Sequence, residues 1–447
     1  MKSKRLFQIS LVLLVLVLIT SCVTVRDSSA VYACLNQGSY EDARDLLESA
    51  KSAFYTDRDE VLYNIDSGIL SHYAGDYKMS NQRLSDGERL IEYYYSKSIS
   101  QSVLSWIEND NFKDYDGDDY EDIYTNLFMA LNYIHMDEIE DAFVEIRRFD
   151  NKQKALSTRY ATELEEARNE IKSRGASSDT TYMNNTLSFN NSALARYISM
   201  LLYRSSGKKD DARIDYDQIQ LAFNSQKQLY PFAVPSSIAD ELSVPNGMAR
   251  LNFLGFTGMS PIKFQNEIRV HNDYGTYFKL ALPAMLARGS QVKSINVTVT
   301  DASGVTYTTA LERIESIENI AMDTFGQKLS LIYGRTFARA LSKSVATSAA
   351  YEISNRYEGR DSGVAFLFDL IGIASQVHTE ISEQADLRTT QYLPAFAQVG
   401  GITLKPGIYT VRMDFINAKG KTISTEVFKD VVASADKLNL VEAICLQ

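Results

Sequence analysis

The sequence predicts an α+β protein: an N-terminal α-helical repeat domain, then a small antiparallel β domain interrupted by a helical hairpin. Three observations predict it. All seven prolines lie at or beyond Pro231, so the first half carries none of the residue that breaks helix interiors. A pattern of one turn residue followed five positions later by a small residue recurs four times before Gln226. Alternation of β-branched and polar residues begins only after a cluster of prolines from Pro231 to Pro261.

The chain opens with Met-Lys-Ser-Lys-Arg, followed by the apolar run Leu11 to Ile19. As a helix this run rises about 14 Å, short of a bilayer core, so it reads as the core of a signal peptide over residues 1–21. It ends in Ile19-Thr20-Ser21-Cys22, which resembles the lipobox of bacterial lipoproteins. That resemblance implies cleavage before Cys22, diacylglycerol on its sulfur and a further, palmitate-type chain on its amino group. Several acyl chains hold a protein to a membrane where a single one is marginal. Val23, rather than aspartate, follows the cysteine, as in outer-membrane-sorted lipoproteins of some bacteria. The expected location is the cell envelope, lipid-anchored at the outer membrane and facing the periplasm or the cell surface. Residues 22–33 read as a linker. Later in the chain the most apolar stretch, Val364 to Val377, is interrupted by Asp369.

The helical repeats are read over residues 34–230. Their four turn-to-small pairs are Gly38 with Ala43, Gly75 with Ser80, Asp137 with Ala142, and Gly207 with Ala212. Gly38 and Gly75 are 37 residues apart, and Ala142 and Ala212 are 70 apart. These spacings lie near one and two periods of tetratricopeptide (TPR-like) repeats, at about 34 residues each. The turn residue would end one helix, and the small residue would let the second approach it closely. Leu62, Ile65, Ile69 and Tyr73 share one helical face, as do Leu127, Ala130, Leu131 and Ile134. The glycine-free, charged stretch Asp150 to Arg174 reads as a long exposed helix.

Residues 231–265 read as an irregular connection. Beyond it, Thr276 to Pro283, Lys293 to Thr300 and Val305 to Ala310 read as strands. Residues 312–385 read as the inserted hairpin. Its first helix, Ile317 to Tyr357, is rich in small residues; its second spans Val364 to Gln384. Strands resume at Ala395 to Leu404, Ile408 to Ile416, Thr422 to Val431 and Leu438 to Ile444. A sandwich spanning 266–447 is the economical arrangement.

Composition bounds the partners. The formal net charge is −11, and an acidic chain is a poor electrostatic match for nucleic acid or anionic headgroups. Besides Cys22, only Cys34 and Cys445 remain, and in an exported protein they either pair or stay as separate buried thiols. The four histidines show no metal-ligand spacing, and His72 and His135 read as packing or capping residues near helix ends. The acidic run from Asp114 to Asp122 fails as an EF-hand: setting Gly117 at loop position six puts Phe112 and Ile123 at the ligating ends. Asp114, Asp116 and Asp118 remain weak metal candidates beside the reading of Asp118 or Asp119 as a helix cap. No cofactor is expected beyond the covalent lipid.

Glu145, Arg147 and Arg148 form the densest charged cluster. Glu145 and Arg148 share a helix face, which suits either an ion pair bracing neighbouring repeats or a clamp for a partner's carboxylate. Among 27 tyrosines, Tyr93-Tyr94-Tyr95 cannot all face one core, and Tyr94 with Trp106 forms a candidate surface for a protein partner or a sugar ring. No nucleophile elbow, P-loop or dinucleotide fingerprint is present, so an enzyme is not expected.

Three stretches carry a resemblance. They are Tyr73-Ala74-Gly75-Asp76-Tyr77; Ala130-Leu131-Asn132-Tyr133 through Ala142 to Arg148; and Ala385-Asp386-Leu387-Arg388 with Leu393-Pro394-Ala395 and Leu404 to Tyr409. Together they resemble a family of uncharacterised bacterial lipoproteins with tetratricopeptide-like repeats. The resemblance implies fold and envelope location, and suggests the cell-wall synthesis machinery as a partner. The expected function is a membrane-anchored, non-catalytic scaffold for protein partners. A glycan or peptidoglycan binder and an envelope enzyme of unknown type are the alternatives.

Overall fold

A computed structural model describes residues 28–100, 114–173, 188–271, 277–329 and 385–447. It is an α+β fold. The helices come in four consecutive antiparallel pairs: α1 (Ser29–Asn36) with α2 (Tyr40–Ser49), α3 (Glu60–Tyr73) with α4 (Tyr77–Ser100), α5 (Asp119–His135) with α6 (Ile139–Ser173), and α7 (Ala193–Ser205) with α8 (Lys209–Ser225). A further helix, α9, covers 317–329.

The same device turns each pair. Gly38, Gly75, Asp137 and Gly207 all have positive φ, between 62° and 75°. The N–H of the next residue reaches back to a carbonyl five residues earlier, as from Ser39 to Cys34 and from Lys208 to Tyr203, both 2.9 Å. This satisfies carbonyls that a helix end leaves open, and it requires a left-handed residue at the turn. The small residues Ala43, Ser80, Ala142 and Ala212 are buried. Each stands in the first turn of the second helix of its pair.

The first helix of each later pair is buried almost throughout, including every residue of α3 from Val61 to Tyr73. The second helices keep one face in solvent. The stretch expected as a separate exposed helix from Asp150 is instead the continuation of α6, and it is not fully exposed. Phe149, Gln153, Leu156 and Tyr160 are buried at helical spacing, a stripe hidden in the sequence by the charges around it.

The strands are β1 (Ala249–Thr257), β2 (Ile262–His271), β3 (Tyr277–Leu286), β4 (Val292–Asp301), β5 (Thr306–Ser316), β6 (Phe396–Leu404), β7 (Gly407–Asn417), β8 (Thr422–Ala433) and β9 (Asn439–Cys445). Seven form one sheet in the order β8-β7-β4-β5-β6-β1-β9, and β2 and β3 form a separate ribbon. The sandwich expectation is corrected. This single sheet curls until its edges nearly meet, where a Glu426 carboxylate on β8 accepts the Ile444 N–H of β9 at 2.9 Å. Nor is it wholly antiparallel, because β9 runs parallel to β1.

Around β1, β6, β9 and the end of β5 the sheet buries both faces. Leu251, Phe253, Ile295, Val297, Val411 and Phe415 fill the inside of the curl. Leu254, Phe256, Ile314, Val399 and Ile444 pack outward into the same core as the helices. The helical and β halves therefore share a core. Three expected boundaries shift with this. The connection 231–265 contains β1 and the start of β2, α1 begins at Ser29 inside the expected linker, and the interruption begins at 317, not 312. The second expected hairpin helix, with the end of the first, lies outside the described residues.

Candidate functional site: the seam between helices and sheet

Polar chemistry concentrates where the buried first helices meet the sheet and the extended segment 385–395. Glu442 on β9 is its densest node. His72, at the end of α3, places Nε2 2.6 Å from Glu442 Oε1, and His135, at the end of α5, places Nε2 3.1 Å from Oε2. His72 Nδ1 lies 2.6 Å from Asn132 Oδ1, whose amide nitrogen donates to Ser80 Oγ and Asn81 Oδ1, both 2.8 Å. That fixes the amide, so His72 faces an acceptor on each side and both ring nitrogens carry hydrogen.

Burial opposes charge on His72, but the Glu442 carboxylate more than offsets it and raises the histidine pKa above 6.5. Burial likewise opposes ionisation of Glu442, yet the His72 charge and hydrogen bonds from both histidines hold its pKa at about 2. The node is thus an imidazolium–carboxylate pair joining two helical pairs to the sheet. With both nitrogens engaged, His72 has no lone pair to offer as a base.

A second set of carboxylates holds the segment 385–395. Asp66 on α3 accepts Thr390 Oγ1 at 2.5 Å and Gln391 N at 2.9 Å. Glu121 on α5 accepts Thr390 N at 2.6 Å and Thr389 Oγ1 at 3.1 Å. Tyr32 of α1 donates to Gln391 Oε1 at 2.7 Å, and Tyr73 of α3 donates to Tyr392 O at 2.9 Å. The inner helices therefore grip an extended piece of their own chain by backbone and short side chains. Burial pushes Asp66 up to about 6. Burial and then the neighbouring Asp118 push Glu121 up to about 7. On β5, buried Glu315 accepts Ser192 Oγ at 2.8 Å, Leu194 N at 3.0 Å and Tyr230 Oη at 2.9 Å, as well as Tyr124 Oη. It caps the N-terminus of α7, a favourable place for a negative group, and burial raises its pKa.

The residues singled out from sequence fall mostly elsewhere. Glu145 is buried; its Oε2 accepts Asn126 Nδ2 at 2.7 Å and its Oε1 lies 3.3 Å from Arg148. Arg148 also meets Glu88 at 2.5 Å, and Lys152 meets Glu88 at 2.6 Å and Asp122 at 2.5 Å. The cluster braces α4, α5 and α6, which is the ion-pair reading of Glu145 and Arg148; the Arg148 side chain keeps part of its surface in solvent. Arg147 is exposed on the far side. Tyr94 is half-buried, with the exposed Tyr93 ring 5.3 Å from it. Trp106 and Cys22 lie outside the described residues.

Asp118 caps α5 in a reciprocal box with Glu121. Its carboxylate sits 2.7 Å from Lys263 and 3.2 Å from Lys328, and Asp116 lies 3.3 Å from Lys328. Burial opposes the charge on Asp118, but the two ammonium groups outweigh it and lower its pKa. Among the described residues no cluster of His, Cys, Asp or Glu has the geometry to hold a metal. Cys34 and Cys445 are both free. The first described helices do reach β9, since Tyr40 Oη donates to Ile444 O at 2.6 Å. Strand alternation, however, sends Cys445 into the curled sheet while Ile444 faces the helices, where Cys34 lies.

Sequence reasoning missed Glu442, Glu315, Asp66 and Glu121. One signal was available. Glu442 is the one charged residue of β9 and has apolar residues on either side, and such a residue needs a buried partner. Nothing local names that partner, because His72 is 370 residues away. Comparison with protein-family models, with curated proteins and with solved structures finds no match to this chain.

Proposed function

We propose that this chain is a lipid-anchored envelope lipoprotein, tethered through Cys22, that acts as a non-catalytic scaffold for a protein partner through TPR-like helical repeats. The stack of four helical pairs, each with a left-handed turn and a buried small residue five positions on, carries this reading. Stacked helix pairs make extended binding surfaces. The inner faces already hold segment 385–395 and the sheet, so the partner surface is assigned to the outer, second helices. Val144 on α6 and Ile214 and Leu221 on α8 are exposed there, with Arg147 alongside.

The test is affinity capture from detergent-solubilised envelopes, comparing the native chain with Ile214→Asp/Leu221→Asp. The native chain should retain a stoichiometric protein and the variant should lose at least tenfold of it. Equal recovery by both, or no stoichiometric protein with the native chain, would sink the scaffold reading. Acylation is checked separately, from the mass of the mature N-terminal peptide and its loss in Cys22→Ala.

A further inference from the structure

The β2–β3 ribbon is built the wrong way round for a soluble protein. An amphipathic ribbon on a protein surface ordinarily turns its apolar side inward. Here the inward side carries Lys263, Gln265, Pro283 and Met285. Lys263 Nζ lies 2.7 Å from Asp118 and donates to Arg388 O at 2.9 Å, Gln265 Oε1 accepts Ala385 N at 3.3 Å, and Met285 is buried in the helical core. The outward side at the same level is Ile262 paired with Leu286 and Phe264 paired with Ala284. Phe264 is 42% exposed and Leu286 54%. Asn266, the next position on this side, is exposed and polar. Ile262, Phe264 and Leu286 thus lie together at the base of the ribbon, as a cluster and not as isolated surface residues.

Its base sits beside the start of the described chain. Arg288, just past β3, donates to Ser260 O at 2.6 Å, to Tyr32 Oη at 3.1 Å and to Gln391 O at 2.7 Å. Tyr32 belongs to α1, which begins at Ser29. The seven residues from Cys22 to Ser29 span at most about 25 Å, so an anchor on Cys22 holds the ribbon's base close to the bilayer.

We propose that the outward face of the β2–β3 ribbon is a membrane-contact surface that lies in the interfacial zone of the bilayer bearing the Cys22 lipid and sets the protein's orientation on it. The proposal rests on the lipoprotein reading above. The net charge of −11 makes headgroup attraction a poor source of affinity, so the contact is apolar and insensitive to salt.

The test uses the acylated full chain in phosphatidylcholine/phosphatidylglycerol vesicles. It carries Cys34→Ser and one environment-sensitive fluorophore, on Phe264→Cys or, as control, on Leu221→Cys in the fourth helical pair. The 264 probe should shift to the blue and be quenched at least fivefold more than the 221 probe by a quencher on the lipid chains, equally at 50 mM and 500 mM salt. If Phe264→Cys fails to fold, Leu286→Cys carries the label. Equal quenching at the two sites overturns the proposal. So does the same blue shift for the unacylated Cys22→Ala chain without vesicles, which would put a second copy or other residues of this chain on the face. The mass of the Cys22 peptide separates the two readings. An unacylated chain whose 264 probe is still quenched keeps the membrane face and loses the lipoprotein, whereas an acylated chain with an unquenched probe loses only the membrane face.

Discussion

Replacing Glu442 by Gln removes the charge at the seam while leaving shape and one acceptor in place. Its carboxyl ordinarily titrates at 4.5 and is held at about 2 in the fold. At about 1.4 kcal/mol per pH unit of displacement, the folded environment favours the carboxylate by about 3 kcal/mol. That agrees with the 3–5 kcal/mol typical of breaking a buried pair on one side. Part returns if His72 gives up its proton, so a loss of about 2–4 kcal/mol at pH 7 is expected. Urea unfolding of native, Glu442→Gln, His72→Gln and double-variant chains gives both the loss and the coupling between the residues. Neighbours in one buried pair should couple by more than about 1 kcal/mol. The variant should also lose the part of the stability–pH slope that His72 supplies, since Glu442 is what raises that histidine. A loss below about 1 kcal/mol, or additive single losses, would refute the ion-pair account.

Stability should rise from pH 8 to pH 5, because Asp66, Glu121 and Glu426 are pushed up by burial to about 6, 7 and 7 from ordinary values of 3.8, 4.5 and 4.5. A raised carboxyl contributes stability that is full below its unfolded pKa and lost as pH rises through its folded one; raised His72 adds in the same direction above 6.5, and Glu442 gives way only as pH falls from 4.5 towards 2. A melting temperature at pH 5 equal to or below that at pH 8 contradicts this. Gly258→Ala should cost more than about 2 kcal/mol by urea unfolding, since φ is +65° and a Cβ would stand 2.1 Å from Gly289 O; an unchanged midpoint removes the claim. At the third helical turn, where φ of Asp137 is 62°, Asp137→Gly should be tolerated and Asp137→Val should cost more than about 1 kcal/mol, an order that equal melting temperatures would overturn.

The helical pairs and their turns were readable because their determinants are local. A left-handed turn needs Gly or a residue like Asp137, and a close helix crossing needs Ala43 or Ser80, each within six residues of the other. Strands β4, β7 and β8 were readable for the same reason, since alternate residues of each face one core. β1 was not. All nine of its residues are buried on both faces, which erases the alternation that marks a strand, and prolines on either side made the region look irregular. Of the candidate site, Glu145 does pair with Arg148 and Asp118 does cap α5; Glu145 and Asp118 are buried, while Arg148 keeps part of its side chain in solvent.

By itself, the sequence determined the elements of this protein: paired helices, their turns, most strands and a chain of α+β class. These follow from periodicity and backbone sterics, which act over a few residues. Only the tertiary structure decided that one sheet curls on itself, that its outer face completes the helical core, and that Glu442 meets His72 and His135 across 370 and 307 residues. Those outcomes depend on which buried surfaces and charges find each other, and the free energy of such contacts is set by distance in space, with no trace in local spacing.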